Sequence, residues 1–193
     1  MANQQGNFGF RPVLMLGSAY QGQGQQQMTI ASNETNSIFM GDPVVLNANG
    51  SISRGSSAGA ELVGVFNGCM YTDPTSGEQV FSNYYPASTN AADIIAFVID
   101  DPMVVFEIQA AIAFPIADLF GNFDIVYTTA GSTKTGISGA ELQVTDGGTG
   151  TTLSVKAIDI SEDPANSDVG AAHTNVLVTI QNHLYGIKGA GLA

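Results

Sequence analysis

The chain has little with which to do chemistry. Its 193 residues include five Lys and Arg in total, two His, one Cys and no Trp. Metal capture needs several His, Cys or carboxylate ligands at set spacings, and a catalytic nucleophile needs a base and an orienting group. His173 and His183 belong to no HxxxH pattern, and Cys69 belongs to no CxxC pattern. With one cysteine no intrachain disulfide can form, and Cys69, between Gly68 and Met70 in a strand-like run, reads as a buried, inert thiol. Charged residues make up only 11% of the chain, against roughly a quarter in ordinary globular proteins. The net charge of −12 excludes a nucleic-acid partner by the usual route, because phosphate binding needs clustered Lys and Arg. Long apolar runs are also missing. The longest, residues 94–99 and 110–117, fall well short of the ~20 needed to cross a bilayer as a helix, so no membrane partner is expected. The polar start, Met1 to Gln5, lacks the basic and apolar regions of a signal peptide, which predicts synthesis and folding in a cytoplasm.

What is present is β-forming. A hydrophobic fraction of 44% supports a real core, and 23 Gly with many Gln, Asn, Ser and Thr punctuate short apolar runs. Asn49-Gly50 is a strong hairpin signal between Val44-Val45-Leu46 and Ser51-Ile52-Ser53-Arg54, on the expectation that both central turn residues take positive φ. Further runs around 62–66, 69–71, 93–98, 103–109, 123–128, 141–144, 152–158 and 176–180 complete about ten strands, a number that suggests a sandwich or barrel. Pro115 and Gly121 bracket one expected helix of about two turns. The fold class is therefore mainly β: a sandwich or barrel, jelly-roll-like body with one short helix and an extended N-terminal arm. The arm is placed at residues 1–35, where Gln and Gly dominate, and the β-rich body at 36–193. Phe8, Phe10, Val13, Leu14, Met15, Leu16 and Tyr20 are costly to leave in water, which suggests an arm that orders on a partner.

The acidic residues give weak chemistry. Asp100-Asp101-Pro102 and Glu162-Asp163-Pro164 pair carboxylates, but an acidic residue before Pro is an ordinary turn starter, and no Trp is present to stack a sugar ring for glycoside hydrolysis. Residues 159–168 cluster hard oxygen donors without the spacing or glycine of an EF-hand, so a solvated acidic loop is favoured over a Ca²⁺ site, which stays open. No catalytic residue, metal or cofactor is expected, and the chain reads as a non-enzyme.

Several blocks, in order along the chain, resemble a family of small proteins from tailed-phage genomes, typically encoded beside the major capsid protein. They are Gly9-Phe10-Arg11-Pro12-Val13, Tyr20-Gln21-Gly22-Gln23, Gly41-Asp42-Pro43-Val44, the run from Asp100-Asp101-Pro102 to Gln109, Thr135-Gly136-Ile137-Ser138-Gly139-Ala140-Glu141-Leu142, and Pro164-Ala165-Asn166 followed by the strand into Asn182-His183. The resemblance implies a head decoration or cement protein on the outer surface of the virion. Its partners would be the major capsid protein and its own copies, as a homotrimer at local or true three-fold positions of the shell. Thr174-Asn175 stands where the family often has Lys-Trp, and residues 84–92 depart from its pattern, so no contacts are carried over for either region. Under this reading the capsid-contact candidates are Phe8, Phe10, Arg11, Val13, Leu14, Leu16 and Tyr20, with Arg11 a cation suited to a capsid carboxylate. The alternative is a phage tail, fibre or other virion surface adhesin component, although no long repeat of the fibre kind is visible.

Overall fold

The hairpin at Asn47 shows how this sequence turns its chain. β4 (Pro43–Leu46) and β5 (Ser51–Arg54) pair antiparallel, with Leu46 opposite Ile52. Gly50 takes φ +80°, whereas Asn49 is not among the residues with positive φ. Asn49 instead accepts hydrogen bonds on Oδ1 from the Ser51 N–H at 3.0 Å and the Ser51 hydroxyl at 2.7 Å. The expectation of two left-handed residues is corrected to one. The loop is longer than two residues, since the Asn47 N–H reaches the Ser51 carbonyl, and a longer loop needs only a glycine to close it.

The computed structural model describes residues 3–17, 24–56, 58–166 and 168–186. It is mainly β, as expected. The remaining strands of the first half are β1 (Arg11–Met15), β2 (Gln25–Ile30), β3 (Ile38–Phe39), β6 (Gly64–Thr72), β7 (Gln79–Ser82), β8 (Tyr84–Tyr85) and β9 (Ile95–Ile99). The second half holds β10 (Val104–Gln109), β11 (Asn122–Ser132), β12 (Ile137–Gly148), β13 (Val155–Ile160) and β14 (Asn175–Ile180).

One sheet runs β4-β5-β2-β9-β6-β7, and because β4 also pairs with β6, five of its strands close into a barrel. A ring with an odd number of strands cannot be wholly antiparallel. The required parallel pair is β2–β5, joined at Thr29–Ser51 and Ile30–Ile52. The other sheet runs β1-β10-β14-β13-β11-β12 and curls until Leu142 of β12 makes a single parallel bridge to Ala110, just past β10, giving a second barrel that is not fully closed. The body is thus mainly β, with several sheets and a closed five-strand barrel, in line with the expected sandwich or barrel. Closing the first sheet removes edges that would otherwise seek partners, and leaves β1 and β7 as outer strands.

Each sheet fills its own interior. Ile30, Ile52, Phe66, Ala96 and Val98 pack in the first barrel, and Phe106, Ile108, Phe123, Leu142, Val155 and Val178 in the second. Leu62, Val65 and Ile99, next to or within first-barrel strands, join the core of the second and bind the two together.

Two expectations change. Residues 1–35 do not stand apart from the body: β1 pairs with β10, and β2 is a wall of the first barrel between β5 and β9. The glutamines hid β2 because a barrel strand needs an apolar residue only at alternate positions. Met28 and Ile30 supply them, while Gln25, Gln26 and Gln27 are exposed. The two-turn helix is a single 3-10 turn, Ile116–Asp118. None of its residues is buried, so it has no packed face to support further turns.

Candidate contact surface

The segment leading into β1 is threaded through the body. Asn3 donates to the Asp168 carbonyl at 3.0 Å, and Gln109 accepts from the Gly6 N–H at 2.9 Å. At Gly9 (φ +68°) the chain crosses so close to Gly41 and Ser138 that a Cβ would lie 2.5 Å from the Gly41 carbonyl oxygen. This crossing puts Phe10 inside. It is 2% exposed and meets Phe106 edge-on, with ring centroids 5.8 Å apart. Phe10 is therefore a core residue, and in this fold its ring is not available to a partner.

Arg11 is also engaged within the chain. Register places it opposite Glu107, its Nε donates to Glu107 Oε2 at 3.0 Å, and its guanidinium lies 4.7 Å from the centre of the Phe8 ring. Glu107 is buried while the arginine side chain is 54% exposed, so the pair has a desolvated anion and a wet cation. Phe8 is half-buried beneath it.

The other candidates remain on the surface. A bulge between Pro12 and Leu14 breaks the alternation of β1, and both Val13 and Leu14 point outward, 41% and 45% exposed. Leu16 is exposed as well, and its N–H bonds the carbonyl of exposed Met103 at 2.9 Å. Val13 and Leu14 on the outermost strand, with Leu16 and Met103 at its end, make an exposed apolar strip at this edge of the sheet. Tyr20 lies outside the described residues. Met103 was missed as a candidate because only the register of β1 on β10 brings it beside Leu16, although its block had been singled out.

The groups weighed for chemistry are individually quiet. Burial pushes the Cys69 thiol up to about 12, away from a reactive thiolate. Burial lowers the His183 pKa, and its Nδ1 accepts from the Tyr185 N–H at 3.0 Å. Asp100 is raised, chiefly by desolvation. In the acidic loop Asn166 takes the centre, donating to the Ser161 and Asn175 carbonyls and accepting from the Asn175 N–H. Among the described residues no three His, Cys, Asp or Glu converge to hold a metal, and no helix is long and apolar enough to cross a membrane.

Comparison with protein-family models, curated proteins and solved structures found no match.

Proposed function

We propose that this chain is a virion structural protein, a cement or decoration protein that binds the assembled head of a tailed phage and stabilises it, as a homotrimer. The single observation that carries the contact surface is the group of four exposed apolar residues at this sheet edge, Val13 and Leu14 on β1, Leu16 just after it and Met103 just before β10, on a body with few charges. The ordered blocks that resemble phage head proteins supply the partner.

A cement protein strengthens a shell because it binds the assembled state and not the free subunit, so its binding free energy adds to shell stability by mass action. The closed barrel and the sheet packed against it provide a rigid mount, which lowers the entropy lost on docking. The Arg11–Glu107 pair holds β1 on β10 so that the strip is presented in one register. Pro12 removes one free donor from the outer strand and so limits uncontrolled strand pairing.

The test is occupancy on expanded empty heads. A double variant, Leu14→Asp with Leu16→Asp, should keep the native circular dichroism spectrum and lose most head binding in co-sedimentation. Undiminished co-sedimentation of a folded variant removes this surface from the proposal, and failure of the unaltered protein to bind heads removes the cement role.

A further inference from the structure

At one end of the second barrel three irregularities meet. The β11–β12 register jumps from Asn122–Gly148 to Asp124–Gln143, so residues 144–147 stand opposite Phe123 alone. Phe120, just before β11, holds φ +64°, a left-handed backbone that bulky residues rarely adopt, with its N–H tied to the Ala157 carbonyl at 3.0 Å. The Asn122 side chain, 7% exposed, donates to the Gly150 carbonyl at 3.0 Å, yet its own Oδ1 accepts no hydrogen bond. Bulges, backbone strain and unpaired buried polar atoms are each uncommon, and each concentrates at working sites. Together they border an open cleft of about 580 Å³, a volume suited to a small ligand.

The walls define the ligand by exclusion. Lys156 is the only Lys or Arg among the described residues that line the cleft, and Asp118 lines it too, so a polyphosphate lacks the charges it needs. The cleft is open to solvent, which suits a lipid chain poorly. Phe120, 69% exposed, lines it together with Asn122, Thr149, Thr151, Gln181, Lys156 and Asp118. An exposed aromatic ring among hydroxyl, amide and charged residues matches a pyranose, which has a C–H face and a polar rim. Lys156 and Asp118 offset each other in charge, so the walls favour a neutral sugar.

We propose that this cleft binds one neutral pyranose residue, with Phe120 beneath the C–H face of the sugar and polar groups of Asn122, Lys156 and Asp118 toward its hydroxyl rim. The site lies on different strands from the β1 strip, so it goes beyond the cement reading and does not depend on it.

The purified full-length chain is titrated with millimolar glucuronate, glucose and N-acetylglucosamine, and binding is read by saturation-transfer NMR. The expected result is transfer to glucose and N-acetylglucosamine, and weaker transfer to glucuronate, whose carboxylate Asp118 repels. Phe120→Gly should abolish it with an unchanged or higher Tm, because glycine takes this backbone without strain. Asp118→Asn should strengthen glucuronate several-fold and leave glucose little changed. Absence of transfer to all three sugars from the unaltered protein overturns the proposal, as does full binding by Phe120→Gly. Stronger binding of glucuronate than of glucose overturns the preference for a neutral sugar. No heads are used, so failure here leaves the cement role to its own test.

Discussion

Asp42 sits where the two barrels meet, and its carboxylate is fully buried. Its Oδ2 accepts from the Phe39 N–H at 2.8 Å and its Oδ1 from the Ser138 hydroxyl of β12. Arg54, stacked 4.9 Å above the Tyr127 ring, adds a favourable charge. Desolvation nonetheless dominates and raises the pKa from 3.8 to about 6. A carboxyl that binds its proton more tightly when folded contributes stability that is fully present below about pH 4 and is lost as the pH rises through about 6. Over that window the contribution is on the order of 3 kcal/mol. Asp42→Asn keeps an acceptor for Phe39 and offers Ser138 a donor. It should therefore gain stability relative to the parent as pH rises from 4 to 7. Urea melts at several pH values measure the difference, and a pH-independent gap between the two proteins would count against this account. A second residue-scale prediction concerns the hairpin. Gly50→Ala, at φ +80°, should destabilise by about 1 kcal/mol. Asn49→Ala should lose a similar amount, through its bonds to Ser51 and not through its backbone.

At the scale of elements, β2 decides what truncation does. An arm could be deleted without harm to the body, but removing residues 1–35 takes out one wall of a closed ring and the strand that covers β10. The truncated chain should fail to give a cooperative melt, whereas the Leu14 and Leu16 double variant should melt like the parent. A cooperative, native-like melt after the deletion would show that β2 is dispensable. The same strand marks the limit of what the sequence reveals. Runs such as Val104–Gln109 and Asn175–Ile180 are legible because they are buried along most or all of their length. β2 is not legible, because three of its residues are exposed Gln and its pairing, with β9 and parallel to β5, comes from distant segments. Of the candidate contacts, the apolar character of Val13, Leu14 and Leu16 was readable. Their separation from Phe10, which turns inward, depends on a chain crossing at Gly9 that no local pattern announces. The cleft beside Phe120 left no sequence signal beyond Pro115 and Gly121, because it arises from a register jump.

At the scale of the molecule, the two barrels share a core and should unfold together. Leu62, Val65 and Ile99 pack into the second barrel's interior from segments that build or flank the first, and they share that core with Phe10. Calorimetry should show one transition, and Phe10→Ala should lower the whole transition by about 3–5 kcal/mol of stability and not split it. Two resolved transitions would mean that the barrels are independent units.

Charge sets the last expectation, for association between copies. Each chain carries −12 with only five Lys and Arg to offset its acids, and its most exposed cation on β1, Arg11, is already held by Glu107. Copies approaching one another therefore meet net repulsion, and attraction must come from apolar and neutral polar contacts such as exposed Phe81 on the outer strand β7. Salt shortens the reach of the repulsion, to about 8 Å at physiological ionic strength, while leaving apolar contacts intact. The proposed trimer should thus tighten as salt rises from millimolar to physiological levels, the reverse of an interface built on ion pairs. Sedimentation equilibrium across that range reads the change directly. A trimer that dissociates with added salt would place ion pairs at its interface, and a monomer at every salt concentration would confine self-association to the shell surface, where bound neighbours are held at high local concentration.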